Sequence, residues 1–278
     1  MAQTFLLEYI EKDSFVHRMN GGTKLVCFLL WITALMLTYD TRFLIFLTLL
    51  GLILFRASKI KFREVKIVFY LILIFLGINL LMVFLFSPLE GTKIYGTRND
   101  MFTLSGNYIV TKEQLFYELN IFLKYFSVIP VALLFIVTTH PSEFASSLNR
   151  IGVPYKISYA VSIALRYIPT VHEDFMIISK AQQAKGIDVS RKVNFATRVK
   201  NVSYTLMPLI FSSIEKIDII SNAMLLRGFG KKDKRTWYRS KNITKNDISG
   251  IVITALFVLV SIVLINVNKG RFYNPFIK

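Results

Sequence analysis

Cysteine, histidine and charge are all scarce in this sequence, and each scarcity excludes a class of chemistry. Cys27 is the only cysteine among 278 residues and lies in an apolar run, which leaves no partner for a disulfide framework. The three histidines, His17, His140 and His172, show neither H-E-x-x-H nor any paired spacing that would build a metal site, so capping or interfacial hydrogen bonding is their expected role. No G-x-x-x-x-G-K-[ST] stretch occurs, and Gly21-Gly22-Thr23-Lys24 has neither the spacing nor a preceding strand. No cofactor is therefore expected, and any ATP must be bound by another protein. Charged residues make up only 18% of the chain against 54% hydrophobic, which rules out a disordered scaffold.

What is present points to a membrane. Length alone favours about two domains, but a mean hydropathy of +0.51 is too high for a soluble chain. Residues 1–24 carry Glu8, Glu11, Lys12, Asp13 and Arg18 without a long apolar core, so they do not read as a signal peptide. Apolar runs follow at 25–39, 43–55, 67–86, 119–137 and 248–267, and the last three approach the ~20 residues that cross a bilayer as a helix. The first two read as a hairpin. A single helix through both would bury Asp40 and Arg42 mid-membrane at roughly 2.5 to 3.5 kcal/mol each, whereas a hairpin leaves them at its turn. Lys124, inside the fourth run, reads either as the mark of a solute path or, as the default expectation, as a cation that snorkels to the outer headgroups, and the 24 phenylalanines and 13 tyrosines are expected to serve as core and lipid-facing surface.

The net charge of +17 would suggest nucleic acid in a soluble protein, but its distribution follows the positive-inside rule. Arg56, Lys59, Lys61, Arg63 and Lys66 oppose Glu64 alone between the second and third runs. This places that connection and the amino terminus in the cytoplasm. Residues 87–118 then face outward with Lys93, Arg98 and Lys112 against Glu90, Asp100, Glu113 and Glu118. Residues 138–247 return inside with eighteen basic against eight acidic side chains. No nucleic acid is needed to explain the charge. Within 87–118, Phe102, Leu104, Tyr108 and Val110 alternate around Gly106-Asn107, the pattern of a small hairpin.

The segment 138–247 is long, basic and rich in apolar residues. Transmembrane spans there would bury Arg166, His172, Glu173 and Asp174, or Glu215, Lys216 and Asp218, so amphipathic helices are expected instead. Pro141 at a first turn, with His140 or Thr139 as cap, and Gly152 before Pro154 bound a helix over 141–151. Two longer helices follow over 155–185 and 195–227, with bends near Pro169 and Pro208.

These long helices end alike. Residues 173–186 read EDFMIISKAQQAKG and 215–228 read EKIDIISNAMLLRG. At an offset of 42 they share Glu173/Glu215, Ile177/Ile219, Ile178/Ile220, Ser179/Ser221, Ala181/Ala223 and Gly186/Gly228, with Lys185 matched by Arg227. A cation before a glycine at a helix end satisfies the dipole and the left-handed cap. Its recurrence on two cytoplasmic helices also describes a pair of basic tips that dock into acidic grooves on two soluble partners, or on two halves of one dimer.

The chain resembles the transmembrane T component of energy-coupling factor transporters, ABC-type importers of vitamins and metals. The opening 9–19, YIEKDSFVHRM, with Thr23-Lys24-Leu25 is similar to the family's amino-terminal signature. Residues 141–154, with Leu148 and Gly152-Val153-Pro154, resemble its first cytoplasmic helix, and 164–169 with 181–186 resemble the region ending in the first coupling motif. Residues 223–228 resemble the second.

The resemblance implies an all-α polytopic membrane protein of about five spans, with a membrane domain over 1–137, a cytoplasmic coupling-helix module over 138–247, and a last span and tail over 248–278. It implies a non-catalytic scaffold in a bacterial plasma membrane, with two cytoplasmic ABC ATPase subunits, a substrate-binding membrane S subunit and lipids as partners. The ATPase-binding motifs then fall on Ala184-Lys185-Gly186 and Leu226-Arg227-Gly228. Lys185 stands where the family has arginine, Leu226 where it has a small residue, and Asn20-Gly21-Gly22 where it has an acidic residue and a proline. The alternative is a polytopic membrane enzyme, such as a lipid or prenyl transferase, for which Glu173-Asp174 is the only adjacent acidic pair in 138–247.

Overall fold

The computed structural model describes residues 12, 14–105, 108–187, 194–231, 236–237 and 243–276. In chain order it contains α1 (Phe15–Arg18), α2 (Gly21–Leu37), α3 (Thr41–Ala57), α4 (Phe62–Phe86), α5 (Glu90–Tyr95), β1 (Asp100–Ser105), β2 (Tyr108–Thr111) and α6 (Lys112–Thr138). Then come α7 (Pro141–Arg150), α8 (Tyr155–Ala184), α9 (Phe195–Leu226) and α10 (Lys245–Val267). The fold class is all-α, with one short antiparallel hairpin in which Phe102 pairs with Val110 and Thr103 with Ile109. The Gly106-Asn107 turn expected there lies outside the described residues. The chain divides into two compact units, Met1–Glu143 with Lys241–Lys278, and Phe144–Ser240.

In the first unit, α4, α6 and α10 are long and apolar enough to cross a bilayer, and α2 is a shorter apolar helix. The break between α2 and α3 follows from the side chains at the turn. Asp40 caps α3 by accepting from the Arg42 N–H at 3.0 Å, and its other oxygen meets the Arg42 guanidinium at 2.9 Å. A helix running through this point would forfeit both contacts. Burial works against ionisation of Asp40, but the Arg42 guanidinium and the Asn268 amide outweigh it and hold the carboxyl below its usual range.

At the start of α2, Asn20 accepts from the Gly22 N–H at 2.8 Å and Gly21 takes the first helical position. An acidic residue followed by proline is itself a cap followed by a first-turn residue. Asn20-Gly21 therefore fills the same two positions with different residues. Asp247 ties this end to α10: one oxygen accepts from Thr244 N–H in a capping box, the other from Asn20 N–H at 2.9 Å.

The core sits where α2, α3 and α10 meet, around Trp31, Ala34, Leu35, Phe43, Leu44, Leu47 and Phe257. A second cluster joins α4 to α6 through Val65, Ile129, Leu133 and Val137, with Ile60 beside it.

Lys124 corrects the snorkelling expectation. It is only 4% exposed, with its Nζ 3.5 Å from the centre of the Tyr39 ring and 3.4 Å from the Met36 carbonyl. A cation–π face and the carbonyl end of α2 give the ammonium an internal partner, so it has no need of a headgroup. The tail closes over the same place. Arg271 donates to the Met36 and Leu37 carbonyls, and Tyr39 N–H donates to the Arg271 carbonyl at 2.7 Å.

Candidate functional site

The second unit is built on α8 and α9, which lie antiparallel. Near one end the rings of Tyr159 and Phe229 are 4.9 Å apart; in the middle Lys216 pairs with Asp174; near the other end the Gln182 amide donates to the Tyr204 carbonyl at 3.3 Å. That last contact follows from the sequence. Pro208 has no N–H, so the carbonyl four residues before it, on Tyr204, loses its helical donor. Gln182 supplies one from the neighbouring helix. Both long helices continue through their prolines, Pro169 and Pro208, as single elements.

The tips are built identically. After α8, Ile187 N–H reaches the Gln182 carbonyl and Gly186 N–H the Gln183 carbonyl, both at 3.0 Å. After α9, Phe229 N–H reaches Met224 and Gly228 N–H reaches Leu225, both at 2.9 Å. Each is a Schellman cap, with glycine at positive φ, +83° for Gly186 and +69° for Gly228. Lys185 and Arg227 occupy the same capping position, with φ of −86° and −80°. Ala184, Lys185, Leu226 and Arg227 are all exposed, Leu226 by 90%. The helix α7 ends in the same motif at Gly152, but there the capping position before the glycine is Ile151, and Arg150 lies one residue earlier. The cap alone is thus a general device of this chain, and the repeated feature specific to α8 and α9 is the exposed cation upon it.

The repeat and the antiparallel packing combine into a local two-fold arrangement. Asp174 and Lys216 are equivalent at the offset of 42, and they meet each other. A residue on such an axis faces its own counterpart, so two aspartates or two lysines would repel there, and opposite charges remove the conflict. From this pair each helix runs twelve residues to its glycine, in opposite directions. At 1.5 Å per residue the two capping glycines stand about 36 Å apart along the helix axes.

The helix pair presents two different grooves. One, of about 580 Å³, is lined by Arg166, Lys216 and Arg227 with Tyr159, Tyr167 and Phe229 among its other walls. The other, of about 460 Å³, is lined by mainly small and apolar residues including Ala160, Ala164, Ile217 and Ser221. Sequence reasoning found Lys185 and Arg227 but missed the approach of Arg166 to the second tip. The i, i+7 spacing of Tyr159 and Arg166 placed them on one face of α8, yet only the antiparallel packing brings Arg227 to that face. Glu173-Asp174 is not brought together as a carboxylate pair for chemistry, because Asp174 is taken by Lys216. His140 accepts from the Ser142 N–H at 3.1 Å at the start of α7, the cap expected of it, and His17 shares a hydrogen bond with Ser14 at 2.7 Å.

Comparison with known proteins bears on this arrangement. The chain is 28% identical over 279 residues to the energy-coupling factor transporter transmembrane protein EcfT of Lactococcus lactis subsp. cremoris, covering 93% of this chain and 98% of the relative. It is 29% identical over 249 residues to EcfT of Streptococcus thermophilus, covering 86% and 90%, and 25% identical over 272 residues to EcfT of Staphylococcus aureus, covering 92% and 95%. The CbiQ family, described as cobalt transport protein, matches residues 12–238, a stretch that includes α1 to α9 and both tips. The chain belongs to the CbiQ family, and with it to the transmembrane T components of energy-coupling factor transporters.

Proposed function

We propose that this membrane component of an energy-coupling factor transporter is the scaffold through which two cytoplasmic ABC ATPase subunits move a substrate-binding membrane S subunit, driving uptake of a vitamin or metal ion. The observation that carries the reading is the pair of matched basic tips, pointing opposite ways from one antiparallel helix pair. Two tips related by a local two-fold suit two ATPase subunits that are themselves alike. Ala184-Lys185-Gly186 docks on one and Leu226-Arg227-Gly228 on the other. The chain itself is non-catalytic, and ATP hydrolysis belongs to the partners.

The apolar side of α9 supports the S-subunit contact. Met207, Ile210, Phe211, Ile214 and Ile217 are exposed large apolar side chains on a helix with a bare apolar groove beside it. Such patches call for a partner or lipid. In this reading α2, α3, α4, α6 and α10 are the five spans of a plasma-membrane protein of a bacterium with its amino terminus in the cytoplasm. Residues 1–137 and 248–278 form the membrane part, and 138–247 the cytoplasmic coupling module.

Charge reversal tests the docking. Lys185→Glu combined with Arg227→Glu alters two exposed residues at helix ends, so insertion into the membrane should be normal. Each reversal replaces attraction by repulsion in an acidic groove, where losing one desolvated charge contact costs about 2 to 5 kcal/mol. The double variant should no longer copurify with the ATPase subunits. Unchanged recovery of those subunits would remove the tips from the mechanism.

A further inference from the structure

The fold treats the apolar residues on the two sides of Gly228 differently. After the glycine, Phe229 turns inward, its ring 4.9 Å from that of Tyr159 and 5.8 Å from that of Tyr155. Trp237 closes on the same cluster, 5.7 Å from the Tyr155 ring, and its indole N–H donates to the Asn149 side chain at 3.3 Å. Before the glycine, Leu225 is 65% exposed and Leu226 is 90% exposed, the highest value of any large apolar side chain among the described residues.

A single exposed leucine needs no explanation. Two in succession, immediately before the docking cation, call for one, because this end of the helix pair has an apolar cluster that takes in Phe229 and leaves both leucines outside. The cap does not demand them either. At the matched positions the first tip carries Gln183 and Ala184, also exposed, on the same hydrogen-bonded turn. Phe229 ties the second cap to α8, so Leu226 is presented on an anchored turn and loses little freedom when a partner covers it. A cation at an interface brings orientation and association rate more than affinity, whereas an apolar side chain withdrawn from water at the centre of an interface brings affinity.

We propose that Leu226 inserts into an apolar pocket of the ATPase subunit that docks on the second tip, with the carboxylate that meets Arg227 at the rim of that pocket. The inference rests on the docking reading above and adds to it the chemistry of the partner's surface, which is an apolar hole beside an acidic edge. The methyl group of Ala184 is too small to fill such a hole, so Leu226 suits the second tip to a surface that the first does not fill.

Full-length protein in detergent, titrated with its purified ATPase subunits over a range of salt concentrations, tests this. Leu226→Ala should weaken binding by about ten- to a hundredfold, the scale of burying one leucine side chain. Leu226→Met, of similar volume, should keep most of the affinity. Because Leu226 is exposed in the unbound chain, Leu226→Ala should leave the thermal unfolding midpoint of that chain where it is. Its loss of affinity should be the same at low and high salt, since an apolar contact is not screened, whereas the loss from Arg227→Gln should shrink as salt rises.

Wild-type affinity of Leu226→Ala, beside lost binding of the double variant Lys185→Glu with Arg227→Glu, would overturn this proposal and leave the docking reading standing. Wild-type affinity of both would overturn both. A lowered unfolding midpoint in Leu226→Ala would assign the leucine to the chain's own packing, and loss of the S subunit with ATPase affinity unchanged would assign it to the membrane partner; under either result the proposal would fall.

Discussion

Lys185 and Arg227 sit on nearly superimposable backbone caps, so the difference between the tips lies in the side chains. Arginine offers a rigid fork and lysine a point charge with rotatable donors. The contact at the second tip is therefore the more demanding geometrically. Arg227→Lys should weaken assembly with the ATPases by more than Lys185→Arg changes it, and Lys185→Arg should strengthen it if the first groove presents a carboxylate to a fork. Complex stability and transport-coupled ATP hydrolysis of the two single variants decide the matter. Equal small effects would mean that charge alone matters, and a larger loss for Lys185→Arg would mean that the first groove is shaped for lysine.

At the scale of elements, Asp174–Lys216 lies at the centre of the polar contacts described between α8 and α9. Both side chains are partly exposed, so the pair contributes about 1 kcal/mol or less. Its importance is in orientation. Asp174→Lys sets two lysines face to face and Lys216→Asp two aspartates, and each should lower the thermal unfolding midpoint; the double exchange should restore it. Additive loss in the double exchange would show that these positions do not meet.

Much at this scale was legible beforehand. Pro141, Gly152, Pro154, Gly186 and Gly228 are strong punctuation, and the ends of α7, α8 and α9 fall within a residue of where they point. Asp40 announced the break between α2 and α3, because a carboxylate between two apolar runs is costly anywhere but a turn. The short helices α1 and α5 escaped, since a few residues carry no periodicity. Lys124 was misjudged because its compensation comes from Tyr39 and from α2, neither of which its own helix reveals. The candidate site was half legible: local sequence marks both tips, whereas the groove of Arg166 depends on how α8 and α9 pack.

For the whole molecule, the account requires an odd number of crossings, with the amino terminus inside and the carboxyl terminus outside. The basic run Lys231, Lys232, Lys234, Arg235, Arg239, Lys241 and Lys245 should keep the start of α10 in the cytoplasm, although Lys269, Arg271 and Lys278 follow it. In a Cys27→Ala background, an impermeant thiol reagent added from outside should label Asn274→Cys and miss Lys241→Cys. The reverse pattern would overturn the topology.

The central claim is that each basic tip meets an ATPase subunit, and site-specific crosslinking tests it most directly. Cysteines placed one at a time at Lys185 and Arg227 in the Cys27→Ala chain, within the assembled transporter, should crosslink to ATPase subunits, one subunit for each tip, and not to the S subunit. Crosslinks from both tips to the membrane partner, or from neither tip to an ATPase, would contradict the account.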